Sequence, residues 1–216
     1  MVPIFNITTS KNIKVANFYD QAIKELNQFY GIRWSGSIPK IYLVPDRKTF
    51  DNLKGYKTED WVVGSTMNSS DIFYVLAPEN YETESNHKYS DDEYFRLIKH
   101  ELSHLFQKQL FDSYKPIWLT EGLAVYTSGQ LMVKKKPEKF TNFLGFFSNG
   151  GSGVYAESGF AVEILIKKFG KKRILKVLKG IKTPVTKGNF NKYFEEELGV
   201  KLNYSWFNKN LWNSIS

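Results

Sequence analysis

Ser90-Asp91-Asp92-Glu93-Tyr94-Phe95-Arg96-Leu97-Ile98-Lys99-His100-Glu101-Leu102-Ser103-His104-Leu105-Phe106 is the stretch on which the reading of this chain turns. Phe95, Leu97, Ile98, Leu102, Leu105 and Phe106 recur three and four residues apart, the period of an amphipathic helix. Ser90 is placed to cap its start, and Asp91, Asp92 and Glu93 suit the positive end of the helix dipole. On a helix, residues i and i+4 lie on one face, one turn apart. His100 and His104 can therefore aim both imidazoles at one ion. Glu101 sits beside them, placed to take a proton from a water bound to that ion.

A pair of histidines around a glutamate is a short pattern, and an ordinary helix face can carry it. The next helix-like stretch, Pro116-Ile117-Trp118-Leu119-Thr120-Glu121-Gly122-Leu123-Ala124-Val125-Tyr126, makes it more specific. Catalytic zinc takes three protein ligands and leaves a fourth position for water. Glu121 follows His104 by seventeen positions, enough to end the first helix near Phe111, turn, and bring a second helix back alongside. Gly122 and Ala124 would let those two backbones approach closely. A carboxylate among Trp118, Leu119, Leu123 and Val125 needs a partner, and a cation is the obvious one.

At these residues the chain resembles the gluzincin metallopeptidases, which combine two histidines from HExxH with a glutamate from the following helix. The small peptidase MA-like group is the nearest in pattern, and Trp118-Leu119-Thr120-Glu121-Gly122-Leu123-Ala124 looks like its third-ligand motif. The resemblance implies one zinc ion ligated by His100, His104 and Glu121, with Glu101 as general base in peptide-bond hydrolysis. It implies a peptide or protein substrate and an α+β, zincin-like fold over residues 1–216. That fold has a small N-terminal mixed sheet, two ligand-bearing helices and a helical C-terminal part, with the change of character near residue 130.

The bulk numbers fit such a domain. A chain of 216 residues that is 42% hydrophobic and 16% aromatic can bury a sizeable core. No apolar run approaches a membrane span, and the start, Met1-Val2-Pro3-Ile4-Phe5-Asn6, lacks a basic n-region and a long apolar h-region. The cytoplasm is the default expectation, and an exported form with its signal removed would look the same. With no cysteine there are no disulfides and no Cys-ligated zinc. The net charge of +8 is concentrated in lysine runs such as Lys134-Lys135-Lys136 and Lys171-Lys172-Arg173. Such runs suit solvated faces and last turns of helices. Since no nucleic-acid motif accompanies them, a nucleic-acid partner is not expected.

Along the chain, residues 4 to 8 suggest a short strand. Helical spacing runs from about Lys11 to Tyr30 and stops at Gly31. Pro39 to Pro45 reads as a strand, and Asp46 as the cap of a short helix ending at Gly55. Residues 61–66 and 71–77 read as strands joined in a hairpin through Met67-Asn68-Ser69-Ser70. The order resembles the small N-terminal sheet of the MA-like fold, whose strand nearest the active-site helix binds extended substrate by backbone pairing. That resemblance places Gly64, Ser65 and Thr66 near the substrate edge; an ordinary hairpin is the plain alternative. His87, the third histidine, reads as a surface residue, although a metal ligand from there is conceivable.

A third helix begins at Tyr155, after the flexible Ser148-Asn149-Gly150-Gly151-Ser152-Gly153, and stops at Gly170. A nearby donor stabilises the charge that develops on a scissile carbonyl. A tyrosine hydroxyl serves in several gluzincins, so Tyr155 is the candidate here, with Tyr126 and Tyr74 as rivals. Helices around residues 174–181, 190–199 and 202–212 close the chain, with Trp206 and Trp212 as expected core anchors. A nucleophilic serine or cysteine mechanism lacks its motif. Two other classes stay open: a binding module with structural zinc, which needs a fourth protein ligand such as His87, and a basic nucleic-acid binder, whose affinity would fall steeply with salt.

Overall fold

Asn12 opens the first helix by accepting the Val15 N–H at 3.0 Å, and α1 (Ile13–Tyr30) runs from there to Gly31. Gly31 has φ 69°, the left-handed conformation in which glycine ends a helix without a Cβ penalty. The computed structural model of the chain describes residues 3–34, 38–67, 70–111, 116–182 and 185–211. Residues 4 to 8, expected as a strand, form none. A strand needs a ladder partner for its backbone groups, and these residues pair with none of the strands described.

The architecture is α+β, mostly helical with one small sheet. Two compact units make it up, Met1–Leu102 and Ser103–Ser216. The first contains α1, β1 (Lys40–Val44), α2 (Arg47–Lys54), β2 (Gly64–Thr66), β3 (Ile72–Leu76) and the N-terminal part of α3 (Asp91–Leu110). The second holds the rest of α3, then α4 (Ile117–Ser128), α5 (Val154–Phe169), α6 (Lys171–Gly180), α7 (Lys187–Leu198) and α8 (Tyr204–Leu211). Residues 103–128 thus pack with the helical unit, because α4 lies along α5 over most of its length.

In the first unit the strand order is β1-β3-β2. β1 runs parallel to β3, from Lys40 opposite Ile72 to Val44 opposite Leu76. β2 is antiparallel to β3, from Gly64 opposite Val75 to Thr66 opposite Phe73. The hairpin expected from sequence is present, and Asn68 and Ser69 of its turn lie outside the described residues. β3 is the central strand, with Phe73, Tyr74, Val75 and Leu76 all buried, which explains its unbroken apolar sequence. β2 is an edge strand and starts only at Gly64. Ahead of it the Val62 N–H turns back to the Glu59 carbonyl at 2.9 Å, so Trp61 and Val62 leave the ladder.

Helix α3 begins as its sequence suggests. The Ser90 hydroxyl accepts the Glu93 N–H at 3.1 Å, and three acidic residues fill the first turn. Tyr94, Leu97, Ile98 and Leu102 are buried, and each such side chain contributes about 1.5–3 kcal/mol by leaving water. The Tyr94 hydroxyl donates to the Leu76 carbonyl at 2.8 Å, and Lys99 pairs with Glu25 of α1. The helix is thereby held to the sheet and to α1 on different faces.

In the second unit α4 and α5 cross at two glycines. A Cβ on Gly122 would stand 2.5 Å from the Ser158 carbonyl oxygen, and a Cβ on Gly159 would strike Val125. The close approach anticipated at Gly122 is therefore made to α5, not to α3. Trp118, Phe140, Phe143 and Phe207 form an edge-to-face aromatic core with centroids 4.8–6.3 Å apart. Of the expected anchors, Trp206 is half-buried and stacks on Phe169, while its neighbour Phe207 is fully buried; Trp212 lies outside the described residues. Only part of the basic excess falls on helix ends: Lys167 and Lys168 are in the last turn of α5, where Lys167 pairs with Glu163, and Lys171 opens α6, inside which Lys176 pairs with Glu197. Lys134, Lys135 and Lys136 lie outside any helix, and Lys136 donates to the Leu211 carbonyl at 2.9 Å. Among the described residues no helix is long and apolar enough to cross a membrane.

Candidate metal centre

Helix α3 is unbroken from Asp91 to Leu110, so His100 and His104 stand one turn apart on one face. In the second unit α4 brings Glu121 to His104, with Oε2 3.5 Å from Nε2. His100, His104 and Glu121 each offer one ligand atom, and these atoms all lie within 4.8 Å of one another. Two ligands held about 2.0–2.2 Å from a tetrahedral ion stand about 3.4 Å apart, so the His104–Glu121 separation already suits a shared cation. Two imidazole nitrogens and one carboxylate oxygen are a donor set suited to zinc. His100 is 5% exposed, while the side chains of His104 and Glu121 keep 14% and 19%. The group is thus shielded but still touches solvent.

Polar contacts on both sides of Glu121 fix how α4 sits on the C-terminal half of α3. The buried Gln107 amide donates to the Thr120 carbonyl at 3.1 Å and to Ser103 Oγ at 3.3 Å. Two turns further along α4, the Thr127 hydroxyl donates to Ser103 Oγ at 2.9 Å. Buried hydrogen bonds of this kind contribute modestly when made and cost about 1–3 kcal/mol when one partner is left alone. They therefore select one register of α4 against α3, the register that sets Glu121 against His104.

Glu101 lies in the first unit, 6% exposed, and β2 is its neighbour. A Cβ on Gly64 would stand 2.8 Å from Glu101 Oε1, 3.0 Å from its Cγ and 2.9 Å from Leu97 Cδ1. The strand and the carboxylate are thus in direct contact, and any side chain at position 64 would have to displace the carboxylate. Ser65 pairs across the ladder with Tyr74, and its hydroxyl accepts from Lys54 at 3.1 Å; Thr66 ends the strand. Tyr74 is buried with its ring edge-on to Phe50, and burial pushes its hydroxyl up to about 12, with the nearby Glu101 charge adding to the rise and Ser65 opposing it. Tyr126 is half-buried on α4, and burial raises its hydroxyl too. Tyr155 is half-buried in the first turn of α5.

His87 is engaged elsewhere. Nδ1 meets Glu93 Oε1 at 3.0 Å, and Nε2 meets the Trp61 carbonyl at 3.0 Å. It is half-buried and bridges the loop before α3 to the segment leading into β2, rather than lying free on the surface. Both ring nitrogens are thereby committed away from the His100 group, so His87 is not the fourth ligand that a structural zinc site needs. Sequence reasoning missed Ser103, Gln107 and Thr127. Their one signal was that polar side chains recur on the helix faces that must pack, a pattern that solvated faces share. Compared with protein-family models, curated proteins and solved structures, the chain matches none.

Proposed function

We propose that this chain is a zinc-dependent metallopeptidase of the gluzincin type with a zincin-like fold. The observation that carries the reading is the convergence of His100, His104 and Glu121, from two helices, on a space one ion can fill. With zinc bound by these three residues, the chemistry supplied would be activation of water and polarisation of a carbonyl. Glu101, adjacent to a ligand yet outside the ligand group, takes the proton of the attacking water and passes it to the leaving amine. Tyr155 donates to the oxygen on which negative charge develops. Gly64, Ser65 and Thr66 pair with extended substrate through the edge of β2, a form of strand addition. The contact between Gly64 and Glu101 supports this, because a chain laid on β2 lies alongside the proposed base.

The test joins metal analysis of the purified protein to a cleavage assay on a mixed peptide library, with and without chelator. Glu101→Gln should keep its metal and lose cleavage, whereas His100→Ala and Glu121→Ala should weaken metal binding. Full cleavage by the Gln variant rules out the proposed base. Cleavage that ignores the chelator rules out the metal.

A further inference from the structure

The start of α4, three turns of helix that carry Glu121, has no cap of its own. Pro116 precedes it, and no side chain there accepts from the helix. The first N–H groups of a helix need acceptors from elsewhere. Here the Ile117 N–H donates to the Phe147 carbonyl at 3.0 Å and the Trp118 N–H to the Phe146 carbonyl at 2.8 Å. Both carbonyls belong to the loop of residues 141–147.

One carboxylate holds the other end of that loop. Glu157, in the first turn of α5, is 7% exposed. Oε2 accepts the N–H groups of Asn142 at 2.9 Å and Phe143 at 3.0 Å, and Oε1 accepts the Thr141 N–H at 3.0 Å and the Thr141 hydroxyl at 3.2 Å. A buried carboxylate persists only with such charge-assisted partners. The next residue, Ser158, is the one whose carbonyl faces Gly122. Glu121 therefore lies between two contacts that both lead to the same turn of α5. One runs from the first turn of α4 through the capping loop to Glu157, and the other is the seat of Gly122 on Ser158.

We propose that Glu157 is the positioning residue for Glu121: by folding the loop that caps α4, it sets the height and angle at which Glu121 meets His104. The proposal rests on the reading of Glu121 as a metal ligand. Glu157 touches neither metal nor substrate and acts only through α4. Glutamine keeps the size of the side chain but sets an amide NH2 where an oxygen accepted.

The experiment measures zinc affinity by competition with a chromophoric chelator, so no activity is needed. Glu157→Gln should keep its helical circular dichroism and bind zinc about tenfold more weakly, as removal of an outer partner of a metal ligand does. In a Glu121→Ala background the same substitution should change affinity by less than about twofold, since coupled sites do not add. Phe194→Leu on α7 is the stability control, because it opens a cavity in the same unit and should leave zinc affinity alone. Unchanged affinity in Glu157→Gln overturns the proposal, as does an equal loss in both backgrounds. If Glu157→Gln does not fold, Thr141→Val removes one donor only and should weaken zinc about twofold to threefold; no weakening there also overturns it. A wild-type chain that takes up no zinc sinks the ligand reading of Glu121 and this assignment with it. Zinc bound equally by wild type and Glu157→Gln sinks the assignment alone.

Discussion

Gly64→Ala separates the proposed base from the metal more cleanly than a change to either. Gly64 does not have a positive φ, so its backbone accepts alanine. The obstacle is space alone. The new Cβ would stand 2.8 Å from Glu101 Oε1, where ordinary contact begins at 3.4 Å, so the carboxylate must retreat by about 0.6 Å. Leu97 Cδ1, at 2.9 Å, is crowded by the same Cβ and must give as well. A displacement of about 1 Å in a catalytic group costs about a hundredfold in rate, so a tenfold fall in kcat/KM is the reasonable scale for about 0.6 Å. Stability should change little, because alanine regains about 0.4–1 kcal/mol in the unfolded chain that offsets part of the strain. Zinc affinity should stay within about twofold, because Glu101 is not in the ligand group. The assay pairs peptide-cleavage kinetics with zinc titration on the same preparation. An unchanged rate refutes the contact as a constraint on the base. A matching loss of zinc and of rate refutes the division of labour between Glu101 and the ligands.

Two further expectations follow from the packing and from ionisation. Gly122→Ala presses a Cβ against the Ser158 backbone, which cannot rotate away; it should cost about 1–3 kcal/mol by urea unfolding and weaken zinc binding as α4 is pushed off α5. Asp51 is pulled up by partial burial, but hydrogen bonds from the Thr58 hydroxyl and N–H outweigh that and leave its carboxyl below the usual range. A carboxyl depressed in the folded state gives stability that is present above its ordinary value and lost as pH falls through the lower folded one. The stability gap between wild type and Asp51→Asn should therefore be wide at neutral pH and close on acidification through the carboxylate range. A gap that stays constant down to the acid limit contradicts this.

Local signals suffice wherever one residue decides an element. Asp46 and Ser90 cap helices, and Gly31 and Gly55 end them in the left-handed region. The grouping of His100, His104 and Glu121 was legible because i, i+4 geometry is a property of any helix and Glu121 stood among apolar neighbours. The partners of the tightly packed glycines were not. Gly122 announces a close approach, but only the fold decides that the approach is to α5. Residues 4 to 8 have strand composition and no ladder to join, since β-propensity reflects a surface to pair with rather than the backbone alone. Glu157 read as an ordinary helix residue, because the loop whose N–H groups it gathers has no pattern of its own.

β2 is three residues long. A guest chain that adds to so brief an edge gains only a handful of main-chain bonds, and most of its recognition must come from what its side chains meet. Shallow pairing of that sort shortens residence, so cut fragments would leave quickly and turnover would not be throttled by release. The same brevity denies a second copy of the chain enough frontage to zip on at that edge.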